Sequence, residues 1–363
     1  MGSNDFEGSL AQRKIKYTIG VTNEVVVGDL FQSVVIFVKS SEAAANFVTA
    51  PGVGSFVLAT PSSFASVAKG SLLQWLTDFY SVNQVTKIYL VEIDETTLAT
   101  GLATALALFR AYGFFKLLFS TTESEQFTFA QVMVTDTALT QAWICTDDAT
   151  NLDGASTTSL AYQLKTAKHK VHLEYFATTA RNSAMVQLGK TLSKINATGF
   201  SVGEALDYLA VSTIGGSGAA GVNLTETQMA ALEAQYVGYW STIGNNTGMV
   251  AMYGGKLMDG SWAGADWFVK FVEYCASVHG ATFLTNGTHR RNDETYQALL
   301  TILTAQVAPF IQIGMISNFK ITAPKFAALP KSGDSFIVPG AWTADYSDSV
   351  RSTNIQGNLN VVL

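Results

Sequence analysis

The strongest constraint on this chain lies between residues 71 and 195, where short apolar runs alternate with segments of helical period. Residues 87–93, 114–119, 141–146 and 170–177 read as strands. Between the first two, Leu98, Leu102, Ala105, Leu106, Phe109 and Tyr112 fall on one helical face, and Gly113 ends that helix. A helix or loop fills the stretch to residue 140, and residues 160–169 and 183–195 read as helices. Upstream, Ser71 is placed to cap a helix carrying Leu72, Leu73, Trp75, Leu76, Phe79 and Tyr80. Strands separated by helices predict an α/β region with a mainly parallel sheet. Residues 14–21 and 31–39 are further strands, the second holding the continuous apolar run Val34, Val35, Ile36, Phe37 and Val38.

The pattern changes at residues 214–222, a Gly/Ala/Ser stretch without periodicity that reads as a linker or loop. An α+β region follows. A helix is predicted over 225–235, strand-like sequence over 236–253 with a turn at 244–247, and a hairpin-like stretch over 254–260. A long helix over 262–278 has Ser261 as its N-cap, His279 in its last turn and Gly280 just past its end. Another helix starts at Asp293, runs to about residue 308, and is closed by Pro309 and Gly314; residues 316–322 form a strand. In the last ten residues, Ile355, Gly357, Leu359, Val361 and Leu363 alternate with Asn354, Gln356, Asn358 and Asn360. Period-two alternation marks a strand with one buried face. A terminal strand so patterned must join a sheet, in its own body or in a neighbouring copy.

Composition narrows the function classes. Charged residues make up 14% and apolar ones 48% of 363 residues, against about 25% charged in ordinary soluble domains. The apolar, charge-free stretch of helical pattern at 96–109 is interrupted by Arg110 and then by Gly113 and Lys116, short of the roughly 20 apolar residues a spanning helix needs. Residues 1–16 are polar and lack the apolar core of a secretory signal. The expectation is a soluble protein whose surface is largely covered by partners, with no membrane insertion. A net charge of −6 argues against a nucleic-acid partner, because phosphate contacts need clustered Lys and Arg. The densest basic run, His289, Arg290 and Arg291, is flanked by Asp293 and Glu294 and reads as a solvated turn. Cys145 and Cys275 read as buried free thiols of a reducing compartment.

Catalytic patterns are weak. Gly216, Gly218 and Gly221 fit the glycine spacing of a dinucleotide-binding turn, but the next helix begins near Thr225 and no ribose-binding carboxylate lies in 236–247. His169 and His172 straddle a helix-to-strand passage and have no further zinc ligands beside them. Asp147 and Asp148 follow an apolar strand where α/β active sites often lie, and Asp153 and Glu174 could join them; carboxylates at strand ends are also common turn formers. The aromatic series Trp262, Trp267, Phe268, Phe271 and Tyr274 has the spacing of a helix core face. No phosphate-binding loop and no nucleophile elbow is present, so no catalytic residue, metal or cofactor is expected.

The C-terminal third resembles the tail sheath proteins of contractile phages and related injection machines. The matching block runs from Leu224-Thr225-Glu226-Thr227-Gln228 to Leu232, then through 236–240 and Gly248-Met249-Val250-Ala251-Met252-Tyr253-Gly254-Gly255. It continues through Asp259-Gly260, the helix start Ala265-Asp266-Trp267-Phe268, and a second helix ending near Gly314. Val338-Pro339-Gly340-Ala341-Trp342 and Gly357-Asn358-Leu359-Asn360-Val361 extend it to the end. Met252-Tyr253-Gly254-Gly255 stands where many sheath proteins carry a Trp-Gly-Ala-Arg type of motif, which marks a divergent branch. The α/β region is similar to that family's variable outer domain.

The resemblance implies a two-domain sheath subunit of class α/β plus α+β. An N-terminal arm and strand would occupy 1–24, an α/β outer domain 25–222, an α+β inner polymerising domain 223–345, and a C-terminal arm strand 346–363. It implies a non-enzymatic virion protein, assembled in the host cytoplasm, that stacks as homo-hexameric rings into a helical polymer around a tail tube protein. Contraction, bounded by baseplate and tail terminator proteins, would drive the tube through the host envelope. Strand exchange between copies is expected through Ile15, Tyr17, Ile19 and Val21 and through Ile355, Leu359, Val361 and Leu363. Lys320, Lys325 and Lys331 are expected to face the tube because they are basic and near the inner domain's end. The alternatives are another tail structural component, tube or baseplate, and an α/β nucleotide-binding enzyme using Asp147, Asp148 and the glycine stretch.

Overall fold

The computed structural model describes residues 30–135, 140–176, 183–198, 210–211, 213–214, 217–218, 224–243, 246–287, 290, 292–312, 314, 316–329 and 342–346. The parallel strands are β1 (Val34–Lys39), β3 (Ile88–Ile93), β4 (Phe115–Phe119), β5 (Gln141–Thr146), β6 (Val171–Tyr175) and β10 (Gly238–Ile243). β2 (Phe56–Ala59) is antiparallel at one end; β11 (Asn246–Tyr253) and the short β7 (Ala210–Val211) are antiparallel at the other. The nine-stranded order is β2-β3-β1-β4-β5-β6-β10-β11-β7.

Alternate residues of each strand feed opposite faces. Val34, Ile36 and Val38 of β1 enter one core, Val35 and Phe37 the other. Both faces are covered, which is why these strands read as unbroken apolar runs. Over one face lie α4 (Leu98–Phe109), α5 (Glu123–Val134) and α6 (Leu160–Thr166), contributing Leu102, Leu106, Phe129, Met133 and Leu164. Over the other lie α1 (Ser40–Asn46), α3 (Gly70–Val82), which follows the single-turn α2 (Phe64–Val67), and α7 (Ser183–Thr198). They bring Ala43, Leu72, Trp75, Phe79, Met185 and Leu188. A Cβ at Gly189 would stand 2.9 Å from the Phe79 carbonyl oxygen, so the α3–α7 crossing requires glycine there. The helix expected to run through Tyr112 to Gly113 ends at Phe109 with Arg110 as its C-cap; Gly113, at φ +57, instead lies in the turn into β4, where a Cβ would meet Val35 at 2.8 Å.

α8 (Glu226–Ala234) opens with a full capping box between Thr225 and Gln228. After β10 and β11 come α9 (Ala263–Thr285), α10 (Asp293–Gln312) and a separate antiparallel pair, β12 (Ile316–Ile321) with β13 (Trp342–Tyr346). Trp267, Phe268, Tyr274, Leu303, Val307 and Phe310 pack into the same core as β1, α3 and α7. Sheet and core therefore draw on residues from both sides of position 222. No described helix is long and apolar enough to cross a membrane.

Several expected boundaries are corrected. Lys69, not Ser71, precedes α3 as N-cap; Ser71 lies inside the first turn and its hydroxyl donates to Asn46 Oδ1 at 3.0 Å. Trp262, not Ser261, is the N-cap of α9, because Ser261 is bound through its N–H and hydroxyl to Asp259 Oδ1. α9 runs past His279 and Gly280 to Thr285. Gly costs about 1 kcal/mol inside a helix, a cost that packing of the buried Tyr274, Cys275 and Ala276 upstream can outweigh. α10 includes Pro309 because fully buried Val307 and Phe310 hold its last turn on the core. α6 ends at Thr166, and the glycine-rich stretch holds the small hairpin of β8 (Thr213–Ile214) and β9 (Ser217–Gly218). The expected strand over 14–21 and the tail 354–363 lie outside the described residues.

Candidate functional site: an open two-stranded sheet

β12 and β13 pair only with each other among the described residues, Ile316 opposite Tyr346 and Ile321 opposite Trp342. A bulge falls between Ser317 and Lys320, where Asn318 takes φ 51° and its Nδ2 donates to Asp345 Oδ2 at 2.7 Å. Asn is the side chain that tolerates this conformation best after glycine. One face of the pair is apolar: Ile316 is buried, and Phe319, Trp342 and Ala344 pack against the core. The Trp342 ring lies 6.0 Å from Phe319 and 6.1 Å from Phe268. The other face, with Ser317, Lys320, Thr343 and Asp345, is exposed. Two-stranded sheets are marginal alone, and an open edge is a row of hydrogen-bonding groups ready for another strand.

The sequence expectations include β12 and omit β13. The signal was present, since Trp342, Ala344 and Tyr346 alternate with Thr343 and Asp345. Lys320 is exposed on β12 opposite Thr343, and Lys325 is exposed at the N-cap of a 3-10 turn, Phe326–Ala328. Lys331 and all eight residues expected to exchange strands, Ile15, Tyr17, Ile19, Val21, Ile355, Leu359, Val361 and Leu363, lie outside the described residues.

The parallel sheet reverses its winding between β1 and β4, the place where doubly wound sheets bind ligands at their carboxyl ends. Here that point is occupied by side chains. Lys39 Nζ lies 3.0 Å from Glu125 and 3.2 Å from Glu42, and Ser120 donates to Glu125. Burial works against the Glu125 carboxylate, but hydrogen bonds from Ser120 and Lys39 outweigh it and hold its pKa below the usual range. Glu42 is shifted upward, burial exceeding the pull of Lys39.

The candidate acidic residues do not gather. Asp148 caps the 3-10 turn Ala149–Leu152 by accepting from Thr150 N–H, and Asp153 accepts from Ala155 N–H, both at 2.9 Å. Glu174 is fully buried in β6 and accepts from Trp240 Nε1. His172 is fully buried against the Trp143 ring, with Nε2 3.2 Å from Gln187 Oε1; burial lowers its pKa to about 4. His169 instead lies tilted beside the Phe127 ring, 6.0 Å between centres. Among the described residues no group of three metal-ligating side chains is assembled. Ser217 and Gly218 sit in a hairpin strand and not at a helix start, so the strand–glycine–helix context of a dinucleotide turn is not formed there. Cys145 and Cys275 are buried free thiols, and burial pushes Cys275 up to about 12.

At the amino end of the sheet, polar side chains join α9 to the strands. Asp266 lies 2.6 Å from Lys170 and 3.0 Å from Lys270, and Lys270 donates to the Thr140 carbonyl. Gln141, the first residue of β5, donates to the Ala263 carbonyl at 3.1 Å, and buried Lys116 donates to Thr140 Oγ1 at 3.2 Å. One polar network thus fastens α9 to the starts of β4, β5 and β6.

No family model and no curated protein matches this chain. Solved structures do match. One is a chain of the structure described as "Cryo-EM structure of the anti-feeding prophage (AFP) baseplate, 6-fold symmetrised", with TM-score 0.66 and 10% identity, covering 95% of this chain and 99% of that one. At that identity the likeness shows a common fold, shared from end to end of both chains.

Proposed function

We propose that this protein is a structural, non-enzymatic component of a contractile, phage-tail-like injection particle. The observation that carries the reading is the near full-length fold shared with a chain of an anti-feeding prophage baseplate. The open β12–β13 pair supports it, because such a pair is completed by strands from elsewhere. Two positions in the particle are compatible with the fold. The sequence resemblance favours a sheath subunit stacked in hexameric rings around a tube. The matched chain belongs to a baseplate, which favours a baseplate component at least as strongly. In either position the division near residue 222 is one of role, residues 25–222 outward and 223–345 toward the particle axis. The arms, 1–24 and 346–363, would tether neighbouring copies.

Electron microscopy of the purified chain separates the positions. A sheath subunit assembles alone into long tubes. A baseplate component gives single rings or joins particles only with its partner proteins. A chain that stays monomeric under all conditions, alone and with those partners, contradicts the assembly reading as a whole.

A further inference from the structure

Two helices next to each other end in the same way. α6 closes with Lys168 N–H on the Lys165 carbonyl and His169 N–H on the Leu164 carbonyl; α8 closes with Tyr236 N–H on Glu233 and Val237 N–H on Leu232. Both patterns place the residue after the cap in left-handed backbone, Lys168 at φ 51° and Tyr236 at φ 66°. Glycine is the residue this position favours, since a Cβ is strained there. The chain carries lysine and tyrosine instead, at the cost of some backbone strain in both helix ends.

Tyr236 gathers two other lysines on a surface beside the amino end of β6. Lys165 Nζ stands 4.7 Å and Lys256 Nζ 5.1 Å from the centre of the Tyr236 ring, and Lys256 is 4.9 Å from the Trp262 ring. Lys168 is exposed three residues beyond Lys165, at the end of the same helix. Among the described residues, Lys165, Lys168 and Lys256 take part in no salt bridge. Asp259, in the same loop as Lys256, is turned onto Ser261. Lysines drawn to one aromatic ring repel each other, and an incoming carboxylate relieves that repulsion while the ring holds the ammonium groups in place.

Carboxylates also lie, spread over several strand ends, at the opposite end of the same sheet. Asp94 and Glu95 follow β3, Asp147 and Asp148 follow β5, and Asp153 closes the next turn. A chain of net charge −6 is thus polarised along its strands, basic at the amino end of β6 and acidic at the carboxyl ends of β3 and β5.

The geometry points to a head-to-tail contact between copies of this chain, in which the Lys165–Lys168–Tyr236–Lys256 surface of one takes the acidic carboxyl end of the next. The contact names the partner within the assembly reading and rests on it. Its two patches differ, so it does not close on itself as a two-fold dimer does; it propagates as a ring or an open helix. Screening weakens it, because the Debye length falls from about 10 Å at 0.1 M salt to about 3 Å at 1 M.

The test uses the full chain and follows assembly by light scattering and microscopy, with thermal melts as the folding control. Lys168→Gly relieves the strained backbone, so Tm should hold or rise by a few degrees while assembly weakens at least tenfold in critical concentration. A merely structural Lys168 gives the first change without the second. The pair K168E/K256E should fail to assemble alone, as should D94K/E95K, and an equimolar mixture of the two should co-assemble because each then offers the charge the other lacks. Native chain that assembles while K168E/K256E assembles equally well overturns this contact and leaves the assembly reading standing. Native chain that never assembles, alone or with partner proteins, overturns both.

Discussion

The nine-stranded sheet and the β12–β13 pair are built from similar material and end in opposite states. β1, β4, β5 and β6 are buried along almost their whole length, with helices over both faces. β12 buries one residue of six, and its pair has a single covered face and two edges without a described partner. The first region contains everything its strands require. The second is anchored by Trp342 and Phe319 on Phe268 and is left with hydrogen-bonding capacity to offer. Substitutions should divide along that line, those in the first region acting on stability and those in the second on the proposed assembly.

The largest effect on stability is expected at Trp267, fully buried where α9 meets the core and stacked on Phe271 at 4.8 Å. Trp267→Ala should cost about 3–5 kcal/mol, read as a large fall in melting temperature or loss of soluble protein. A mild effect there would break the comparison, since it would mean that α9 is not part of the self-sufficient region. Acid comes next. His172 has its folded pKa lowered from 6.5 to about 4, so the unfolded chain binds the proton first as pH falls. Stability from this group is whole above pH 6.5 and declines between 6.5 and 4, by roughly 3 kcal/mol at most. Melts across that range should show the decline, and His172→Leu should flatten it; an unchanged slope would remove His172 as its source.

Smaller still is the bulge of the open pair. Asn318→Val places a β-branched residue at φ 51° and removes the hydrogen bond to Asp345, at a cost of about 1–2 kcal/mol. The loss should appear as faster hydrogen exchange in β12 and β13 with the global melt nearly unmoved. A global shift as large as that of Trp267→Ala would merge the two regions into one cooperative unit. Deletion of residues 352–363 should move the melt least of all, within about 0.5 kcal/mol, and sharpens the comparison most because its effect belongs to assembly.

The central sheet was legible in the sequence because its signals are local and redundant. Gln141–Thr146 lies where the apolar run predicts it, and the helix expected over 225–235 is found at Glu226–Ala234. Helix ends were less legible where tertiary packing overrides punctuation. Gly280 and Pro309 look like stops, yet buried neighbours such as Val307 and Phe310 carry the helices through them. The joining of β10 to β6 across the glycine-rich stretch was hidden for another reason: pairing of Gly238 with Glu174 is long-range and leaves no trace in either segment alone. For the candidate site, β12 was read as a strand and β13 was not. Five alternating residues give a weak signal until a partner strand is known. The strained Lys168 and Tyr236 could not be read at all, because nothing in a sequence marks a non-glycine residue as left-handed.

The most direct test of the account is electron microscopy of the purified full chain beside the chain lacking residues 352–363, at equal concentration and low salt. Polymers or rings from the full chain, and folded but dispersed molecules with an unchanged melt from the shortened one, are the predicted result. Equal assembly by both would contradict the claim that the tail of one copy completes the open sheet of another.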